Sequence, residues 1–325
     1  MRAIVMTETG GPEVLQLRDD VELGEPGRGQ LKVKVDAAGV NFIDTYQRSG
    51  LYPVKLPYTP GLEGAGRVLA VGEGVTDVLV GERVAWAMAP GSYAEEILLD
   101  AEKAVPIPGV LSPSVAAAAM LQGMTAHFLC HDTWQVKHGD TVLIHAGAGG
   151  VGLLLIQMCF RLGARVFTTV STEEKAVLAR RAGATEAILY TETDFAEEIR
   201  RLTEGRGVDV VYDSVGKTTF EKSLDCLRRR GMLVVFGGAS GPVPPFDIQE
   251  LNRKGSLFLT RPTLADHIAD RASLLRRAGD VLMQVSRGDL DVRVGATYPL
   301  GDVAEAHRAL EGRATTGKVL LAPNR

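Results

Sequence analysis

Cysteine is scarce. Cys130, Cys159 and Cys226 stand far apart in 325 residues, and none belongs to a C-x-x-C pair. An odd number without paired spacing supports neither a disulfide framework nor a zinc ribbon. These residues read as buried, reduced thiols that act as small hydrophobes. Long apolar runs are missing too. The longest, 151–160, contains Gln157 and falls well short of the ~20 residues a membrane span needs. The six histidines, among them His127, His131, His138 and His145, form no H-E-x-x-H pair, so they read as structural or surface residues rather than ligands. Neither sign of charge dominates: 36 Lys and Arg against 40 Asp and Glu leave a net charge of −4. No basic block stands out, so neither a nucleic acid nor an anionic membrane is expected as partner. The start, Met1 to Met6, runs at once into Thr7 and Glu8, without the apolar core of a signal peptide, and a cytoplasmic protein is expected. What remains is ordinary globular composition, 45% hydrophobic and 23% charged, in a chain long enough for two domains.

The first part reads as β. Residues 2–7, 31–37, 65–71 and 83–87 are short β-rich runs separated by turn signals such as Gly10-Gly11-Pro12, Glu25-Pro26-Gly27 and Gly72-Glu73-Gly74. Such punctuation suggests a small barrel or partly rolled sheet. Residues 112–129 read as helix, with Ser112 and Pro113 as cap and first residue. Near residue 140 the character changes. Apolar strands at 141–145, 165–170, 187–190, 208–212, 233–236 and 256–260 alternate with helical patterns, including 151–162 and 175–182. Strand–helix alternation implies a doubly wound parallel sheet, an α/β fold. Its strands are continuously apolar, as expected when helices cover both faces. The last segment gives a helix at 268–286, strands at 292–294 and 319–321, and a helix near 303–310. It is expected to return to the first domain.

The strongest local signal is Gly147-Ala148-Gly149-Gly150-Val151-Gly152, which matches G-x-G-x-x-G between a strand and a helix. Gly147 permits the tight turn, Gly149 lets backbone approach a pyrophosphate, and Gly152 lets the helix pack on the strand. The helix N-terminus offers N–H groups and partial positive charge. This predicts dinucleotide binding. The second strand ends in Ser171-Thr172, followed by Glu173, Glu174 and Lys175. An acidic residue there would hold a ribose 2′-OH and favour NAD. Ser171-x-x-Glu174 also reads as a capping box, and Glu173 falls in a first turn, where acid is favoured. Lys175 and Arg180 are near enough to neutralise a 2′-phosphate, which favours NADPH.

A wider set of motifs resembles one family. They are Gly10-Gly11-Pro12-Glu13-Val14-Leu15, Asn41-Phe42-Ile43-Asp44-Thr45-Tyr46 and Arg48-Ser49-Gly50-Leu51-Tyr52-Pro53, with the Gly-rich turn. Val211-Tyr212-Asp213-Ser214-Val215-Gly216, Ser223-Leu224-Asp225-Cys226-Leu227, Lys254-Gly255-Ser256-Leu257 and Thr260-Arg261-Pro262-Thr263-Leu264 extend the match. Over essentially its whole length the chain resembles the zinc-independent quinone oxidoreductase branch (zeta-crystallin-like) of the medium-chain dehydrogenase/reductase superfamily. The resemblance implies a GroES-like β-rich substrate domain, 1–123 with 265–325, and a Rossmann NADPH domain, 124–264. It implies an active site in the cleft between them and a homodimer joined through the Rossmann sheet. It places Phe42, Ile43, Asp44 and Tyr46 beside the nicotinamide half, Gly150 and Val151 at the pyrophosphate, and Ser171, Thr172 and Lys175 at the 2′-phosphate ribose. Tyr190, Val215, Gly237, Gly238, Ala239, Ser240, Pro262, Thr263, Leu264 and Arg313 would line the remainder. Members often carry Ala where this chain has Gly147.

Zinc-dependent alcohol dehydrogenases of this superfamily carry an early Cys, a Gly-His-Glu and a four-Cys lobe. Here Leu62 stands in place of the His in Gly61-Leu62-Glu63, no Cys lies near Asn41, and no Cys lobe follows Ala87. No metal is expected, since zinc needs about four N, S or O ligands together. Without a metal to polarise an alcohol, easily reduced acceptors remain: quinones and enones. Asn41 and Tyr46 are candidates to hydrogen-bond the acceptor oxygen or the nicotinamide, and Tyr52 to wall a planar ring. For Asp44 a helix cap stands beside cofactor contact as an alternative, and simple packing for both tyrosines. Reduction of an enone or enoyl double bond would use the same scaffold. A non-catalytic NADPH-binding or RNA-binding relative is the reading of another class. The intact Gly turn and Asn41–Pro53 block argue against it.

Overall fold

The computed structural model describes residues 1–324. It divides into two compact units. Met1–Met124 and the chain from Ile268 onward form the first, and Thr125–His267 forms the second.

The first unit is built on Gln30–Val40, a long strand that pairs along one edge with Glu63–Val71. Its other edge takes Glu96–Asp100 near the start and Lys318–Ala322 near the end. The ladder to Glu63–Val71 slips at Lys32/Val33 and again at Val35/Ala37. Such bulges bend and twist a strand, which rolls a sheet toward a barrel. Outside these, Arg83–Ala87 and Val105–Pro106 extend one side and Val294–Pro299 the other, to give six strands in order and, with Glu96–Asp100, seven in all. The core inside includes Ile4, Val33, Val84, Trp86 and Leu99, each nearly free of solvent.

The C-terminal part departs from the sequence pattern in two places. The helix expected at 268–286 is instead Leu264–His267 followed by Arg271–Ser286. Asp270 causes the break: its carboxylate accepts the Ser273 N–H at 2.8 Å and caps the second helix. The strand expected at 292–294 runs from Val294 to Pro299. Gly and Pro within that run hide it. Pairing with Lys318–Ala322 carries it, and a Cβ on Gly295 would stand 1.8 Å from the Thr316 carbonyl oxygen.

The second unit holds six parallel strands in the spatial order Glu186–Leu189, Arg165–Val170, Thr141–Ile144, Val208–Asp213, Leu227–Val235, Phe258–Thr260. Counted within the unit this is 3-2-1-4-5-6, the doubly wound Rossmann order. The chain reverses direction of growth between Thr141–Ile144 and Val208–Asp213, and the carboxyl ends there form the crevice where such sheets bind ligands. The strands are apolar because helices cover both faces; Leu143, Phe167, Ile199, Val211 and Leu233 pack at the centre. All three cysteines are buried and free. Pro113–Phe128 forms the expected helix, and Ser112 Oγ accepts the Val115 N–H at 3.3 Å. No described helix is long and apolar enough to cross a membrane.

Candidate functional site

In the second unit the Gly-rich turn leaves strand Thr141–Ile144 and enters helix Gly150–Arg161. Two of its glycines are demanded by the protein itself. A Cβ on Gly147 would lie 2.0 Å from Thr168 Oγ1, and one on Gly152 would lie 2.4 Å from the Ala146 carbonyl oxygen. Gly149 differs: its Cβ would meet only the Ala146 carbonyl oxygen, at 3.2 Å. That contact is tight but not prohibitive, so Gly149 is less constrained by the protein than its two neighbours in the motif. As N-cap it has no side chain to offer the amides of the first turn, and those amides are suited to an anion.

Two neighbouring loops are pinned beside this turn. Asp213 ends its strand and accepts the N–H groups of Val215 at 2.8 Å and Gly216 at 3.0 Å. Ser240 donates its N–H and Oγ–H to the Val215 carbonyl, both at 2.8 Å, and the Ala239 N–H reaches the Ser214 carbonyl. A Cβ on Gly237 would strike that Ser214 carbonyl oxygen at 2.5 Å. Val215 and 237–240 thus form one lip. His145 locks the base of the turn. Ser223 Oγ bonds both Asp213 Oδ2, at 3.2 Å, and His145 Nε2, at 3.0 Å. The carboxylate takes the Ser223 proton, so Nε2–H donates to Ser223 and Nδ1 accepts from Thr169 Oγ1 at 2.8 Å. Burial lowers the His145 pKa, which keeps this tautomer neutral. Its role is structural, as the sequence indicated.

At the end of Arg165–Val170, Lys175 Nζ donates to Ser171 Oγ at 3.1 Å. The helix cap is Thr172, which accepts the Lys175 N–H at 3.4 Å. This corrects the expected Ser171–Glu174 box: Ser171 turns its hydroxyl to the lysine, and the helix starts one residue later, at Glu173. Glu173 itself pairs with Arg180 at 2.6 Å in an exposed ion pair. Tyr190 follows on the adjacent strand end, its N–H on the Val170 carbonyl. Pro262, Thr263 and Leu264 leave the last strand in the same unit, whereas Arg313 belongs to the first unit, after helix Val303–Glu311.

The first unit holds a second cluster. Helix Phe42–Arg48 begins at Asn41, and Asp44 Oδ2 accepts the Asn41 N–H at 2.8 Å. Asp44 is fully buried, so it acts as the helix cap. Tyr46 and Tyr52 meet edge to face at 5.2 Å, and Phe42 lies 6.3 Å from Tyr46. Tyr52 and Leu51 are exposed, and with Tyr46 they offer an aromatic wall. Asn41 is buried and its amide is committed inward. Nδ2 donates to Glu63 Oε2 at 2.9 Å and to the Gly39 carbonyl at 3.3 Å, and Oδ1 accepts from Lys318 Nζ at 2.8 Å. The Asn41 amide is thus committed inside the protein, which departs from its expected role toward an acceptor oxygen, whereas Tyr46 is half-buried and Tyr52 exposed.

Sequence reasoning passed over Glu63 as a ligand, and missed Tyr93, His307 and Lys318. Lys318 Nζ also pairs with Glu63, and both side chains are fully buried. From Asp44 a row of hydrogen bonds runs outward. Tyr93 Oη lies 2.8 Å from Asp44 Oδ2 and 3.3 Å from His307 Nε2, and His307 Nδ1 lies 3.3 Å from Arg48. Arg48 forks onto Glu311 at 2.7 and 3.0 Å. Arginine only donates, so Nδ1 accepts, Nε2–H donates to Tyr93, and Tyr93 donates to Asp44. Burial beside the Arg48 charge pushes His307 down to about 3. Burial lifts Asp44 from 3.8 to about 7, against the pull of its donors. Tyr93, buried between Asp44 and Glu63, is pushed well above its usual range.

Two family models match this chain: the alcohol dehydrogenase GroES-like domain over residues 27–109, and zinc-binding dehydrogenase over 150–279. A quinone oxidoreductase of Pseudomonas aeruginosa is 46% identical, over 97% of each chain. A 2-haloacrylate reductase of a Burkholderia species is 45% identical, over 99% of this chain and 98% of that one. The crystal structure of Escherichia coli quinone oxidoreductase complexed with NADPH superposes with a TM-score of 0.97 at 43% identity, covering 99% of this chain and all of that one. The chain belongs to the quinone oxidoreductase family. With it come the GroES-like and Rossmann folds seen in the two units.

The description of one matching model raises zinc, and the residues of this family member do not fit it. Where the metal-dependent relatives carry Cys and Gly-His-Glu, this chain has Asn41, Leu62 and Glu63, and the Glu63 charge is answered by Lys318. Among the described residues no three His, Cys, Asp or Glu side chains gather as a metal would need. The Gly147–Gly152 cradle and the Ser171–Lys175 pair, by contrast, fit NADPH.

Two outcomes follow. Gly152→Val should drive the helix off Ala146 and weaken NADPH binding at least about 100-fold, read by fluorescence titration; the loss is that of a phosphate site rather than one contact. Asp44 holds a proton in the folded chain between pH ~4 and ~7 that the unfolded chain releases, so its contribution to stability is greatest in acid and is lost as pH rises through 7. Wild type should lose on the order of 4 kcal/mol relative to Asp44→Asn between pH 4 and 8. Parallel melting curves of the two proteins across that range would contradict this.

Proposed function

We propose that the chain reduces quinones with NADPH and without metal, in the cytoplasm. The observation that carries this is the pairing of an intact dinucleotide cradle with Ser171–Lys175 at the second strand end, in a chain 46% identical to a quinone oxidoreductase. NADPH supplies a hydride. Its pyrophosphate is received by the amides of the turn 149–151, and its 2′-phosphate by Ser171, Thr172 and the Lys175 ammonium. Val215, 237–240 and Tyr190 line the rest, and Phe42, Ile43, Pro262–Leu264 and Arg313 complete it through the family resemblance, while the buried Asp44 serves from behind as the cap of the helix that carries Phe42 and Ile43. Tyr46 and Tyr52 press on the flat face of the acceptor and hold its oxygen, which orients the reacting atoms. One hydride and one solvent proton convert quinone to hydroquinone, a product that needs little acid help at neutral pH. The three buried reduced thiols agree with a reducing compartment.

Double-bond reduction is the second reading. The 45% identical 2-haloacrylate reductase favours it, because hydride delivery to a conjugated carbon makes the same demands on the cofactor site.

We also propose a homodimer. Phe258–Thr260 ends the parallel sheet with one edge unpaired among the described residues. Phe258 and Leu259 are exposed at 51% and 38%. An exposed apolar edge strand invites another chain, and a second copy of the same strand would continue the sheet across a twofold axis.

NADPH should be consumed with quinones, faster than NADH at equal low concentration, in an absorbance assay with an acceptor-free control. Turnover with enones alone would move the function to double-bond reduction. Lys175→Ala should raise the NADPH KM about tenfold or more and leave NADH unchanged; a preference for NADH in the wild type would assign the ribose to Glu173 instead. Phe258→Asp with Leu259→Lys should give a monomer by light scattering, and a wild type that already runs as a monomer would refute the dimer.

A further inference from the structure

The buried ion pair of the first unit has no place in the hydride chemistry, and its cost calls for a reason. Lys318 and Glu63 are both fully buried. Two charges moved out of water lose hydration that their mutual attraction rarely restores in full, and apolar residues of similar volume would often be as stable or more so. Among the described residues, all but one of the pair's side-chain hydrogen bonds to other groups lead to Asn41. Lys318 Nζ bonds Glu63 and Asn41 Oδ1; Glu63 Oε2 also takes Asn41 Nδ2, and Glu63 Oε1 accepts the Leu121 N–H at 2.5 Å from helix Pro113–Phe128. Because lysine only donates, Oδ1 must face it, and the Asn41 amide has a single orientation. The surrounding sheet is shaped around the clamp. Gly39 lies opposite Leu320, two residues from Lys318, and a Cβ on it would meet Glu63 Oε2 at 2.2 Å and Lys318 Cε at 2.7 Å.

Asn41 starts the helix that carries Tyr46, and Tyr46 packs on Tyr52. We propose that Lys318 is a positioning residue for the acceptor site: its ammonium, clamped between Glu63 and Asn41, fixes the Asn41 amide and with it the first turn of the helix that presents Tyr46. This rests on the reductase reading above. It adds a residue 277 positions away in sequence from the one it steers. Small displacements of groups that orient a substrate carry large rate costs, near 100-fold for about 1 Å.

The experiment compares wild type, Lys318→Met, Lys318→Arg and the double variant Glu63→Gln/Lys318→Met. Removing both charges leaves no orphan ion, so the double variant keeps the question answerable should Lys318→Met alone fail to fold. The readouts are the melting temperature, NADPH Kd by fluorescence, kcat and KM with a quinone, and the isotope effect with C4-deuterated NADPH. In the double variant we expect an NADPH Kd within about twofold of wild type and a kcat lower by about 100-fold. The isotope effect should be enlarged, as hydride transfer becomes slow. Lys318→Arg, which keeps the charge, should recover part of kcat. A folded double variant with wild-type kcat and isotope effect would overturn the proposal and leave the pair a purely structural element. Failure of the reductase reading looks different: wild type itself would bind NADPH and reduce no quinone or enone.

Discussion

Charge withdrawn from water has to be answered by opposite charge or by hydrogen bonds, and the first unit is arranged around that requirement. Glu63, Lys318, Asp44, Arg48 and His307 are all buried within one unit. Each is answered by a neighbour from a distant part of the chain. The strands meet in a register that brings Gly39 under Lys318, the helix starts at Asn41, where two carboxylates, Asp44 and Glu63, both take its donors, and Arg48 closes the far end on His307 and Glu311. The aromatic wall of Tyr46 and Tyr52 stands on this base. The frame behind these rings is held by paired charges and hydrogen bonds, with Asp44 Oδ1 the one buried carboxylate oxygen among the described residues left without a partner.

The second unit answers to a different constraint, the close approach of backbone to phosphate. Gly147 and Gly152 are small because the protein packs there, and Gly149 is held less tightly, against the Ala146 carbonyl alone. Asp213 and His145 then hold the flanking loops, so the cradle is built before any ligand enters it. The two problems are thus solved in separate units.

Much of this was legible in the sequence. The parallel sheet announced itself through apolar strands spaced by helices, and the Gly-rich turn through its setting between strand and helix. Both signals are local. The shifts that did occur have local causes as well: Asp270 divides a helix, Thr172 takes the cap from Ser171, and Gly295 and Pro299 disguise a strand. The buried clamp was illegible for another reason. Lys318 opens an apolar strand and reads as a solvated end, and Glu63 reads only as what is left of a metal motif. Nothing near either residue points to the other across 255 positions. Asn41 was singled out rightly and for the wrong task, because the side chain that looks ready for a substrate is held by partners no spacing rule connects.

The row from Arg48 through His307 and Tyr93 to Asp44 has one further consequence. From Arg48 inward every donor points the same way and each link strengthens the next, while Arg48 also donates outward to Glu311. Such a row behaves as a lever. Its outer end is Glu311, whose side chain is 37% exposed, and its inner end is the first turn of the helix that carries the aromatic wall. An ion or a neighbouring molecule that competes for Glu311 would loosen Arg48, and the disturbance would arrive, undiluted by solvent, at a carboxyl that water never touches.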